Sequence, residues 1–219
     1  MNTSKNLSKF VKIALLSAIA VVIMLFEIPL IPLFPWLKMD LSELPVLIGA
    51  FAFGPMSGVI IEGLKILLNL LITGTGTGFV GELANFIIGV SFVVPAAMIY
   101  HRNKSKKSAI IGMIVGGLFM EVAGILANIY LLLPAFGMSG KIDITQYVMV
   151  GLIPFNGLKA ILVSAITMLV YKKLSVSIFK VDPGFGRFRV RPEAVIAGSA
   201  VLAIEDQDHQ PADHGDQQQ

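Results

Sequence analysis

The chain has 219 residues, 55% of them hydrophobic and only 14% charged, with a formal net charge of +3. A soluble domain carries roughly 25% charged residues, so this composition excludes one and indicates an all-α polytopic membrane protein embedded in a lipid bilayer. The absence of cysteine excludes disulfides, iron–sulfur ligation and thiolate catalysis.

The first apolar block follows Lys5, Lys9 and Lys12 and runs from Ile13 to Phe26. Its charged start resembles a signal peptide, but no small-residue cleavage site follows, so it reads as a retained first helix. Ala14 and Ala18 are four positions apart within it, a spacing that lets a second helix approach closely. That face serves either internal packing or the docking of another membrane subunit. The segment from Ile28 to Asp40 contains Pro29, Pro32 and Pro35 and cannot be regular helix. Apolar and carrying Trp36, it either folds back as a lid over a pocket on the outer face or lies as an interfacial loop anchored by its indole.

The block 42–72 poses a topological problem. If it crossed once, the basic loop 101–107 would fall opposite the basic N-terminus. Dividing it at Phe53-Gly54-Pro55 removes the conflict, since Pro cannot continue a helical hydrogen-bond ladder and Gly weakens one. Six transmembrane helices then put both termini and loop 101–107 on the cytoplasmic side. The second helix, over residues 42–53, is too short to span, so protein or a cavity must cover it. The alternating Thr73–Gly78 stretch resembles a phosphate loop but lacks the Lys-Ser/Thr of a Walker motif, and it reads as an outer turn. No Walker sequence occurs in the chain, so any ATP-driven motor must be another polypeptide. The basic clusters lie in short loops, mark the cytoplasmic face and give no argument for nucleic acid.

Asn69, Asn85, Asn128 and Asn156 occur once each in four predicted helices, with Lys65 and Lys159 at membrane depth. A single Asn serves as interhelical glue. Four of them with two lysines suggest a shared polar site, and Asn156 and Lys159 share one helical face. Asn offers both acceptor and donor groups, which suits the edge of a heterocycle. Glu62 and Lys65, three apart, are expected to neutralise each other, Glu121 is placed to partner Lys159, and Glu82 is expected to be solvated near its helix end. Gly112 and Gly116 read as internal packing. The three histidines lie outside the predicted helices, leaving no intramembrane imidazole for base catalysis or metal binding. Neither Gly-x-Ser-x-Gly nor His-Glu-x-x-His occurs. The residues thus argue against an enzyme, and leave a substrate-binding subunit or a standalone secondary transporter for a small organic solute.

Charge also divides the chain: residues 1–180 carry fourteen Lys/Arg against seven Asp/Glu, and residues 181–219 carry three against seven. The first part reads as the membrane domain. The second reads as a disordered cytoplasmic tail of native or appended origin.

Four strings together carry a resemblance: Met39-Asp40-Leu41-Ser42-Glu43-Leu44-Pro45, Ala52-Phe53-Gly54-Pro55, Ala84-Asn85-Phe86-Ile87-Ile88-Gly89, and Gly151-Leu152-Ile153-Pro154-Phe155-Asn156-Gly157-Leu158-Lys159. Over residues 8–175 the chain resembles the S components of energy-coupling factor (ECF) vitamin transporters, the riboflavin-specific ones most. The tail has no counterpart there. The resemblance implies one riboflavin, carried as substrate rather than held as a cofactor, near the outer face beneath the lid loop. It implies ring contacts from Asn128, Asn156 and Lys159, further contacts from Met39, Asp40, Leu41 and Ser42, and no metal. It also implies that Ala14 and Ala18 dock a transmembrane coupling subunit driven by two ATPase subunits, and that the S component topples to open its site inward.

Overall fold

The computed structural model of the protein describes residues 3–177; the predicted tail, 181–219, and its boundary at residue 180 lie outside them. The described residues form α1 (Thr3–Met24), α2 (Glu43–Phe53), α3 (Pro55–Thr73), α4 (Val80–Arg102), α5 (Lys106–Ala135) and α6, entered at Ile144 and α-helical over Ile153–Ser177. Among the described residues, five helices are long and apolar enough to cross a membrane, and α2 has only 11 residues.

The break between α2 and α3 is local chemistry. Gly54 holds φ 104°, a conformation that L side chains rarely adopt, and Pro55 opens α3 where a helix has no use for its missing N–H. Apart from Leu44 and Phe53, every residue of α2 is buried. A helix apolar on all sides belongs inside, and Val46, Leu47, Ala50 and Phe51 form the core with Ile61, Phe92, Val93 and Val163 from three other helices. The half-length helix is thus wrapped in protein, as its length demands.

Gly112 and Gly116 let α5 lie directly on α4. A Cβ at either position would come within 2.5 Å of the Ala96 carbonyl oxygen or 2.3 Å of the Phe92 carbonyl oxygen. In α1, Ile13, Leu16 and Ala20 enter the core, whereas Ala14 and Ala18 are exposed on the outward face. Two helices widen into π-type turns, α5 at Asn128–Leu132 and α6 at Tyr147–Leu152.

The proline-rich segment folds back as a lid. Two short strands, β1 (Ile28–Pro29) and β2 (Lys38–Met39), pair antiparallel with Ile28 opposite Met39 and Pro29 opposite Lys38. Phe34 and Leu37 between them are buried against Leu133, Tyr147, Leu152 and Phe155. Of the two alternatives that composition left open, a lid or an interfacial loop, the segment adopts the lid; the strand pair that pins its base was not anticipated.

Candidate functional site

Under the lid lies a cavity of about 350 Å³, within the size range of small-molecule sites. Its walls are the lid, the start of α4, the end of α5 and the start of α6, all remote from the basic loop joining α4 to α5. Asp40, Asn85, Asn128, Asn156 and Lys159 all line it, so five of the eight predicted binding residues converge although 119 positions separate the first from the last. Leu37, Ala84, Ile88, Leu132 and Phe155 supply apolar walls. The other three contribute differently. Successive strand residues face opposite ways, so Lys38 and Asp40 line the cavity while Met39 joins the apolar cluster beneath the lid. Leu41 faces a separate hollow beside α1, and Ser42 is buried below the rim. Asn69 does not line the cavity.

The π-type turns aim the polar groups. Asn128 opens the turn in α5, donates from Nδ2 to the Gly124 carbonyl at 2.8 Å, and accepts at Oδ1 from the Tyr147 hydroxyl at 2.7 Å. Tyr147 opens the turn in α6 and accepts in its turn from Trp36 Nε1 at 3.0 Å. This relay ties the lid to two membrane helices. The rings of Phe34 and Tyr147 meet edge to face with centroids 4.9 Å apart, and Phe34 lies so close to Gly151 that a Cβ there would come within 2.8 Å of its ring. Asn156 stands opposite and lines the cavity, with its Nδ2 buried against Gly124 of α5 on the side of Glu121.

The charges form one buried chain. Lys159 Nζ lies 3.3 Å from Asp40 Oδ2 and 3.8 Å from Glu43 Oε1. Asp40 Oδ1 accepts from the Ser42 backbone N–H at 2.7 Å. Burial pushes the Asp40 carboxyl up, but the ammonium groups of Lys159 and Lys65 and the hydrogen bonds from Ser42 outweigh it and hold the group down at about 2. Lys65, fully buried, contacts Glu43 at 2.9 Å and Glu62 at 2.8 Å. At the rim, the exposed Lys38 pairs with Glu27 across the base of the lid.

Three expectations about charge fared differently. Glu62 and Lys65 do pair, but Glu43 from α2 joins them. Glu121 does not meet Lys159; it lies beside Asn156 and borders a separate apolar groove between α5 and α6. Glu82 is half-buried and accepts from the Thr77 hydroxyl at 3.0 Å, closing the start of α4. Tyr147 carried no signal that marked it beforehand, and Glu43, though part of the Met39–Pro45 string, carried none that pointed to Lys65. Tyr147 is one aromatic residue in an apolar stretch, and Glu43 sits at a helix start where any acidic residue is favoured.

Residues 8–171 match the profile of the family described as the ECF transporter, substrate-specific component. The chain is similar to the riboflavin transporter RibU of Staphylococcus aureus (strain TCH60), with 37% identity over 180 residues, covering 80% of this chain and 94% of that protein. It is also 32% identical to the riboflavin transporter FmnP of Bacillus subtilis (strain 168), covering 77% of this chain and 93% of that one. A solved structure described as the S component of a bacterial ECF transporter superposes with a TM-score of 0.67 at 36% identity, covering 77% of this chain and 95% of that chain.

Proposed function

The chain belongs to the substrate-specific components of ECF transporters, and from that premise we propose that it captures riboflavin in the cavity beneath the lid and passes it inward with a separate ATP-driven module. It is a transporter component and not an enzyme, and riboflavin is its cargo.

One observation carries the reading of the site: Asn156, Lys159 and the tethered Asn128, brought together from two different helices, line one partly apolar cavity. A flat isoalloxazine buries well against Leu37, Ile88, Leu132 and Phe155, while a few directed polar groups fix its orientation. Asn156 and Lys159 donate to the carbonyl edge of the ring. Asn128 is braced by Tyr147 and keeps the second N–H of its amide for ligand. Asp40, Lys38 and Glu27 at the rim suit the ribityl hydroxyls. Both lysines that line the cavity already have carboxylate partners, Lys159 with Asp40 and Lys38 with Glu27. Little positive charge is left over for a phosphate, which favours riboflavin over its mononucleotide.

The basic loop between α4 and α5 faces the cytoplasm in this reading, so the cavity opens outward and both termini lie inside. The exposed Ala14 and Ala18 form the face on which a coupling subunit driven by two ATPases docks. The test is the visible absorption spectrum of the protein purified in mild detergent without added ligand. A flavin spectrum, released on denaturation, supports the proposal. A colourless protein that also fails to quench added riboflavin fluorescence rejects riboflavin as the cargo.

A further inference from the structure

Below the cavity, and reaching its wall through Asp40 and Lys159, lies a charge cluster whose sum does not close. Asp40, Glu43 and Glu62 supply three carboxylates; Lys65 and Lys159 supply two ammonium groups; all five side chains are buried. Fully ionised, the cluster would hold one uncompensated negative charge in a dry interior, an arrangement heavily penalised. The oxygen atoms show where the imbalance falls. Glu43 Oε1 is taken by Lys65 at 2.9 Å, but Glu43 Oε2 has no hydrogen-bond partner. Lys65 holds Glu62 Oε1 at 2.8 Å, which leaves Glu62 Oε2 without a donor. Both carboxyls converge on one point: a Cβ built on Gly89 of α4 would come 2.4 Å from Glu62 Oε1 and 3.1 Å from Glu43 Oε2. The absent side chain at Gly89 is what gives the two acids room to meet.

From this geometry we infer a buried proton-binding site in which Glu62 of α3 carries a proton and donates it to the unpartnered Oε2 of Glu43 in α2. One proton brings the cluster to neutrality and gives a partner to an orphaned oxygen on each residue. A metal cation is the poorer occupant, because among the described residues no three His, Cys, Asp or Glu side chains are grouped to hold one. The groups that face the pair are Lys65 from α3, Lys159 from α6 and Asp40 from the lid, and α4 presents only Gly89. Held neutral, Glu62 leaves Lys65 to Glu43, and Glu43 stays between Lys65 and Lys159. The proton therefore helps to fix the ammonium that borders the cavity, whichever ligand occupies it.

Infrared spectroscopy of the purified full-length protein at neutral pH tests this directly. A carbonyl band of a protonated carboxylic acid is expected, shifted in deuterated water, lost in Glu62→Gln and retained in Glu121→Gln. Its absence from the unsubstituted protein, its persistence in Glu62→Gln, or its loss in Glu121→Gln overturns the inference. Should Glu62→Gln fail to fold, Glu43→Gln supplies a second reading, because it replaces the anionic acceptor with a neutral amide. That leaves two carboxylates against two ammonium groups, so Glu62 should ionise beside Lys65 and its band disappear, and a band that persists unchanged rejects the shared proton.

Discussion

Lys159 is held by two carboxylates, Asp40 at 3.3 Å and Glu43 at 3.8 Å, and it borders the cavity. Its removal therefore has two separable effects. Losing a charged hydrogen-bond donor to ligand lowers flavin affinity in Lys159→Ala by about 10- to 100-fold. Leaving Asp40 buried without its lysine destabilises the fold as well. Adding Asp40→Asn should recover thermal stability but not affinity, which flavin-fluorescence titration and thermal melts separate. Asn156→Ala removes a cavity-lining amide that lies outside the charge cluster, so it should weaken binding by a similar factor with a smaller change in stability than Lys159→Ala. Affinity unchanged from the unsubstituted protein in both single variants rejects the site. The low value of Asp40 also fixes the sign of an acid dependence. Its folded-state value, about 2, lies below the ordinary 3.8, so its stabilising contribution is complete above about pH 4 and fades as pH falls toward 2. Melts recorded down this range should lose stability in the unsubstituted protein, and lose less in Asp40→Asn.

At the scale of elements, the lid is seated by a few close contacts. A side chain added at Gly151 strikes the Phe34 ring, so Gly151→Val should unseat the lid at a cost of about 1–3 kcal/mol, read as roughly 5- to 100-fold faster flavin release with a smaller effect on capture. The Gly54 hinge is tested by Gly54→Ala, which forces a Cβ onto a backbone with φ 104° and should cost about 1–3 kcal/mol in a thermal melt. The sequence made this hinge legible because Gly-Pro chemistry is local. Prolines at 29, 32 and 35 likewise announced a non-helical segment, and helix length announced that α2 must be covered. Hidden from it were features made by distant partners. The two π-type turns depend on how Asn128 and Tyr147 meet across 19 positions, and the charge cluster depends on Glu43 reaching Lys65 across 22. Lys159 was expected to find Glu121, whereas the lid delivers Asp40 to it across 119 positions. Side-chain alternation through β2 into Asp40 turns Met39 away from the cavity and Asp40 toward it, and no residue pattern announced a strand there.

For the whole molecule, the proposed function assigns binding and energy supply to different faces. The cavity is roofed by the lid, while Ala14 and Ala18 stand exposed along α1 with the core on the opposite side of that helix. A bulky substitution on that face, Ala14→Trp, should abolish riboflavin uptake in cells that supply the ATPases and leave riboflavin binding by the purified protein intact. Normal uptake in that variant would exclude the docking face. The only tryptophan of the chain, Trp36, sits in the lid, hydrogen-bonded to Tyr147 and bordering the cavity. The molecule thus carries a single intrinsic fluorophore at its entrance, with no second indole to dilute the signal. Emission from an unlabelled sample should dim when a flavin arrives beneath it and recover as the lid lets go, so that each turnover of the transporter writes its own optical trace.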